Sequence, residues 1–517
     1  MVMKSPKAAR RPESLGALAG APWTERYFRI SKHGSSVGQE VRGGLVTFFA
    51  MAYIIALNPL IIGTTTDING NLISGAPKFL EGPAGAAPVI DAAAVGASIG
   101  MVAAATAFIA GIMTILMGMV GRFPMGLATG LGLNALVAYT LAPKMTWPQA
   151  MGLVVWEGIL IAILVLTGFR TAVFKAVPKT LRTAISVGIG LFIAFVGLIN
   201  AGVVRKPAGS PPVELGIGGS LTGWPILVFI VGLGLLIVLH VLKVKGAMLI
   251  SIVSATVLAI IVEAVAHVGA HVGTENPTGW ALNVPSLANF SLPDLGLLFR
   301  VDLFGAFYPD GQFSFPTFLG LMVLVFSLLL ADFFDTMGTV VAVGSEGKLL
   351  DADGMPERVT EILLVDSLGA VAGGIGSVSS TTCYVESTAG VGEGARTGLA
   401  SVVTGLAFLA AVFLSPIINM VPSEAASPVL VFVGFLMIAQ VVDVNWNDPE
   451  VGIPAFLTII LMPFSYSITV GIGVGFLAHV FIKVIRGHAK RVHSLMYVVA
   501  LLFIIYFLQG PLLALVG

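Results

Sequence analysis

The 517-residue chain is short of charge. Only 10% of its residues are Asp, Glu, Lys or Arg, against about 25% in an ordinary soluble domain. Its 27 basic and 27 acidic side chains cancel, so no global field steers it to nucleic acid. A single cysteine, Cys383, excludes an intramolecular disulfide framework and a cysteine-based metal site. The seven histidines show no metal-ligand spacing, so neither metal nor cofactor is expected. What fills the space is apolar: 56% of residues are hydrophobic and the mean hydropathy is +0.98. The 62 glycines suit helices packed closely in lipid, some of them broken. The composition is that of an all-α polytopic membrane protein.

Apolar stretches near spanning length, about 17–25 residues, fall at 43–63, 96–120, 125–141, 149–169, 181–202, 223–243 and 246–268. Seven more fall at 316–343, 361–376, 384–396, 398–420, 427–443, 451–464 and 467–486. The stretch 493–515 is a further span or an interfacial helix. Residues 1–42 are polar and basic and read as a cytoplasmic tail without a cleaved signal. Basic bias places the loop at 170–182 and the segment 483–491 inside, and 269–315 and 444–450 outside. A weak repeat aligns "VPKTLRTAISVGIGLFIAFVGL" at Val177 with "VPSEAASPVLVFVGFLMIAQVV" at Val421, an offset of 244 residues that pairs Gly190 with Gly434. Seven spans per half make the halves enter the membrane in opposite directions, a transporter architecture with its site near the midplane.

Two stretches look broken. "FPMGLATGLGLNALVAYT" (123–140) crowds glycines before a helix carrying Asn134, and "SVSSTTCYV" (377–385) is β-branched and extended before Glu386. Irregular backbone at membrane depth belongs against protein or a cavity, so a site is expected between them. In "LMVLVFSLLLADFFDTMGTVVAVG", Asp332 and Asp335 share a helical face that continues to Thr336 and Thr339. Acids inside a membrane span are functional candidates. Phe333, Phe334 and Tyr53 are candidate aromatic faces, and Thr388 a further polar contact. "GIGVGF" at Gly471 resembles a nucleotide fingerprint but lies inside an apolar span and reads as helix packing. Glu393 and Arg396 read as an ion pair or an anchor pair at the cytoplasmic end.

The segments "MAYIIALNP", "GLGLNALVAYT", "ADFFDTMGTVVAVGSEGKLLDADG" and "TTCYVESTAGVGEGARTGL" resemble the signature segments of the AzgA-like purine permeases, in the nucleobase–cation symporter-2 superfamily. The likeness runs from Arg42 to about Gly487. It implies a 7+7 inverted repeat: a core domain from 43–177 and 316–421, a gate domain from 178–268 and 422–487, an extracellular loop at 269–315 and a C-terminal apolar segment at 488–517. It also implies a homodimer in the plasma membrane that imports adenine, guanine or hypoxanthine with protons by an elevator movement. The family's essential polar positions match Asn134, Asp332, Asp335 and Glu386.

The chemistry agrees. A purine edge carries N–H donors and ring-nitrogen acceptors, which carboxyls and amides pair with. Glu386 and Asp332 are expected to touch substrate most directly, with Asp335 supporting or protonating, and all three are candidates for proton coupling. An anion exchanger of the same fold would favour positive charge over three acids, and a xanthine- or uracil-type permease is the other alternative. No nucleophile–base pair points to an enzyme, and no filter motif points to a channel.

Overall fold

The computed structural model describes residues 22–80, 89–168, 177–207, 212–272, 275–285, 292–351, 355–418 and 420–508. The first 21 residues of the expected tail, the loop residues Arg170 and Lys175, and the chain beyond 508 lie outside them.

Helix α1 (Trp23–Phe28) opens the described chain. It is no free tail: Tyr27 Oη donates to Met119 O at 2.8 Å, and the Arg122 guanidinium sits 4.1 Å from the Tyr27 ring centre. The aromatics of "WTERYF" are what bind this segment to the bundle. The first span starts at Val37, earlier than expected, as α2 (Val37–Met51) and α3 (Ile54–Ile62). Then follow α4 (Ala92–Leu116), strand β1 (Leu127–Thr129), α5 (Leu131–Leu136), α6 (Trp147–Leu166), α7 (Lys179–Asn200), α8 (Trp224–Val241) and α9 (Ala247–Ala266).

The second half runs in the same order: α10 (Phe315–Gly347), α11 (Val359–Ile375), β4 (Thr381–Cys383), α12 (Ser387–Gly392), α13 (Gly398–Ala411), the short α14 (Ser415–Ile418), α15 (Ser423–Ile438), α16 (Pro449–Phe464) and α17 (Ile468–Ile485). Within the first half, between α7 and α8, β2 (Val204–Arg205) and β3 (Glu214–Leu215) form a small ribbon. Among the described residues, 10 helices are long and apolar enough to cross a membrane. The chain is thus a multi-pass, all-α membrane protein.

The halves are related by exchange of partners. α4 packs on α13, as α11 packs on α6, and α7 packs on α15 across the middle. Gly190 and Gly434, paired by the sequence repeat, meet there: a Cβ on Gly434 would lie 2.5 Å from Gly190 O. β1 and β4 pair antiparallel, Leu127 with Cys383 and Thr129 with Thr381. The pairing satisfies backbone donors and acceptors that have no water at that depth.

Two groups of helices result. One holds α2–α6 and α10–α13; the other holds α7–α9 and α15–α17. A last helix, α18 (Ser494–Phe507), packs along α17 and α10, and Lys144 Nζ donates to Tyr506 Oη at 2.9 Å.

One expectation about loop sides is corrected. Segment 444–450 lies at the same end as 483–491, because Glu450 pairs with Lys483, His488 and Arg486. α16 and α17 form a hairpin, so the start of one and the end of the other share an end. The Glu393–Arg396 pair is not formed either. Glu393 pairs with Arg42 and Lys245, while Arg396 Nη1 donates to the carbonyls of Val391 and Ala395.

Candidate functional site

Strand β4 is β-branched, and its approach is a tight turn in which Ser377 and Ser379 adopt positive φ of 55° and 75°. The turn and strand carry the chain to Tyr384, whose N–H donates to Gly126 O and whose Oη donates to Thr129 O at 2.6 Å. Gly130 N–H donates to Ser380 O at 3.1 Å. The two irregular stretches thus bind each other directly and set Gly130 and Glu386 at the starts of α5 and α12.

Between the two helix groups lies a cavity of about 620 Å³, within the range of about 300–1,000 Å³ usual for small-molecule sites. Tyr53, Phe334, Asp335 and Glu386 line one wall, and Arg182, from α7, lines the other. It reaches the basic end of the bundle past Lys179, Gln440 and Asp443. Tyr53 Oη donates to Glu386 Oε1 at 2.5 Å, fixing that carboxyl. Asp335 is exposed to the cavity and forms no hydrogen bond or ion pair among the described residues. The Arg182 guanidinium lies 5.5 Å from the Phe334 ring centre and so bridges the two walls. The arrangement offers two carboxyls and aromatic rings to a flat ligand with N–H donors, with Lys179 and Arg182 as cations on the facing wall.

Behind this wall sits a second, closed polar cluster. Asp332, Asp366 and Glu157 are buried, at 0%, 2% and 0% exposure. Asp366 accepts from Thr336 Oγ1 (2.8 Å), Thr382 Oγ1 (3.2 Å) and Cys383 N–H (3.1 Å). Ser380 Oγ donates to Asp332 Oδ2 at 3.2 Å and lies 3.5 Å from Glu157 Oε1. Among the described residues no group of His, Cys, Asp and Glu has the geometry of a metal site.

Of the residues expected from sequence, the structure brings Tyr53, Phe334, Asp335 and Glu386 to the cavity. It does not bring Asp332, Asn134, Phe333, Thr336 or Thr388 to the lining. Asp332 and Asp335 are three residues apart, which turns them about 60° around α10. That angle is enough to point one at α6 and the other at the cavity. Phe333 packs inside at 2% exposure, and Phe334, next along the chain, faces the cavity instead. Asn134 Nδ2 donates to Thr129 Oγ1 at 3.3 Å, and the Thr388 hydroxyl donates to Val385 O. Sequence reasoning missed Glu157 and Asp366. Each is a lone acid in an apolar run, "VVWEGIL" and "LLVDSLG", and the criterion that flagged Asp332 applies to both.

Comparison with known proteins adds kinship. The model of a family described as "Permease family" (Xan_ur_permease) matches residues 82–480. A guanine/hypoxanthine permease of Bacillus subtilis (strain 168) is 35% identical over 484 residues, covering 93% of this chain and 99% of that protein. An adenine permease of Escherichia coli (strain K12) is 34% identical over 489 residues, covering 94% and 96%. Among solved structures, the transmembrane domain of a cyanobacterial bicarbonate transporter aligns with a TM-score of 0.54 at 15% identity, covering 85% of this chain and 97% of that one, which shows a shared fold.

Proposed function

The chain belongs to this permease family, and from that premise we propose that it carries purine nucleobases across the plasma membrane by proton symport. The observation that carries the reading is the pair of carboxyls on one cavity wall: Asp335 without a partner among the described residues and Glu386 with one oxygen held by Tyr53. A purine presents N–H groups to such acceptors, and a wrong base that leaves one of them unpaired costs about 1–3 kcal/mol. Phe334 and Tyr384 supply aromatic faces to the ring. Asp335 and Glu386 take the substrate contacts in this reading, and Asp332 is assigned to proton coupling from behind the wall.

The helix group of α2–α6 and α10–α13 acts as the core that carries the site. The group of α7–α9 and α15–α17 acts as the gate against which it slides, in a homodimer. Arg42, Lys179, Lys245, Arg396, Lys483 and Arg486 gather at the end where the cavity opens. By the positive-inside rule that end, with the N-terminus, is cytoplasmic.

The test is uptake of radiolabelled hypoxanthine, guanine and adenine in cells lacking purine transport, with and without a protonophore. Wild type is expected to accumulate at least one of the three, and the protonophore to abolish accumulation. Asp335→Asn and Glu386→Gln are expected to lose most of the uptake at unchanged protein level. Absence of uptake of all three bases by well-expressed wild type overturns the substrate assignment, and insensitivity to the protonophore overturns the coupling.

A further inference from the structure

Two acids of the buried cluster differ from the third in a way that decides what they do. Asp366 has donors at both oxygens: two threonine hydroxyls, themselves 2.6 Å apart, and a backbone N–H. Glu157 and Asp332 do not. Among the described residues, Glu157 Oε2 and Asp332 Oδ1 have no hydrogen-bond partner, although both side chains are fully buried. The two carboxyls converge on one hydroxyl instead: Ser380 Oγ lies 3.2 Å from Asp332 Oδ2 and 3.5 Å from Glu157 Oε1. Neither forms an ion pair with a lysine, arginine or histidine among the described residues. Ionised carboxyl oxygens are acceptors only and one hydroxyl has one proton to give, so two buried carboxyls on a single serine are relieved when a further proton lies between them.

We propose that the coupling proton is held between Glu157 on α6 and Asp332 on α10, behind the substrate wall and apart from the carboxyls that face the cavity. This rests on the proton-symport reading above. The balance is simple: one proton joins two carboxylates into a singly charged pair, and no covalent bond or electron moves. With the proton gone, two adjacent buried anions repel across the α6–α10 contact. Ser380 passes that change to the site. Its hydroxyl touches both acids, its carbonyl holds Gly130 N–H at the cavity, and β4 follows it toward Glu386. Asp335, about one helical turn along α10, is the exchange point with cavity water.

The titratable and charged groups around the pair are accounted for by element. α11 contributes Asp366, α10 Asp335 and β4 Cys383. The head of α12 carries Glu386, bonded to Tyr53. α7 carries Lys179 and Arg182 at the cavity, Arg182 over Phe334. α17 carries His479, and its Lys483 is tied to Glu450. Tyr497 of α18 donates to Ala489 O and Tyr506 accepts from Lys144.

The experiment uses purified full-length protein in liposomes with a trapped pH dye. The probe is whichever of hypoxanthine, guanine and adenine the wild type takes up fastest. Wild type is expected to acidify the lumen on inward purine flux and to accumulate purine under an imposed pH gradient. Glu157→Gln is expected to carry purine only to passive equilibration, with no dye signal, and still to be thermally stabilised by purine. Glu157→Asp is expected to restore part of the dye signal at a shifted pH optimum. Ser380→Ala, which leaves both acids in place, is expected to shift the pH profile of uptake without loss of purine binding.

A Glu157→Gln protein that still acidifies the lumen overturns the proposal. So does one that loses purine stabilisation together with coupling. Should Glu157→Gln not yield folded protein, an unshifted pH profile in Ser380→Ala overturns it in its place. A wild type that moves purine without protons defeats the symport reading itself and is told apart by that first trace.

Discussion

Tyr53 and Glu386 come from opposite halves of the chain, and a single hydroxyl joins them. The tyrosine ring is 2% exposed, so Tyr53→Phe keeps the packing and removes only the donor. A hydrogen bond to a charged group contributes about 1.5–3 kcal/mol, so the carboxyl loses its fixed orientation toward substrate. Uptake by Tyr53→Phe is expected to show KM raised about tenfold or more, one decade per ~1.4 kcal/mol, at normal protein abundance. Unchanged KM removes Tyr53 from the site. At this scale the sequence told which residue types matter better than which way they point. The acids of α10 stood out as charges in an apolar run, but phase around the helix decided that Asp335 meets the cavity and Asp332 meets Glu157. The same phase separated the two candidate rings, so that Phe334 and not Phe333 lines the cavity. A rotation of about 100° per residue separates neighbours completely, and the apolar surroundings on every side of a buried helix give no periodicity from which to read it.

Helices, by contrast, were largely legible. Ala247–Ala266 and Ile468–Ile485 lie within two residues of the apolar windows read from sequence, because glycine, proline and charge mark the ends. The extended reading of "SVSSTTCYV" also narrowed to Thr381–Cys383. What hydropathy did not carry was pairing: that Leu127 meets Cys383, or that segment 444–450 faces 483–491. Pairing depends on the shape of the contact, and glycines set it. A Cβ on Gly118 would lie 2.4 Å from Gly398 O, and one on Gly398 would lie 2.0 Å from Gly118 O. Those are backbone atoms that cannot step aside, so Gly118→Ala forces the turn Met117–Gly121 that continues α4 away from the start of α13, at a cost of about 1–3 kcal/mol or more. Its detergent-solubilised form is expected to melt at lower temperature than wild type. Gly96→Ala, where a Cβ meets nothing within 4 Å, is expected to leave the melting temperature unchanged. Equal melting of the two variants defeats the argument that this crossing is close-packed.

At the scale of the whole molecule, the cavity opens at one end and is shut at the other. Tyr466, at the α16–α17 turn, stacks edge-on against Tyr139 at 5.5 Å and Phe192 at 5.2 Å, joining both helix groups at the end away from the basic residues. An inward-open state follows if the basic end is cytoplasmic, and an elevator movement must break this aromatic contact to expose the site on the other side. Gly338 gives a probe for that movement. It lines the cavity, three residues beyond Asp335, and a Cβ there meets nothing within 4 Å, so a cysteine fits. The native Cys383 is buried, and Cys383→Ser clears the background. In right-side-out vesicles, a membrane-impermeant thiol reagent is expected to label Cys383→Ser/Gly338→Cys slowly. In inside-out vesicles it is expected to label rapidly, and purine is expected to slow that labelling. Tyr466→Ala, which removes the outer contact, is expected to raise the outside rate and lower the inside rate together, since both report one equilibrium between two states. A rise outside with no fall inside means that the aromatic cluster is a local plug and that the two helix groups do not move as bodies.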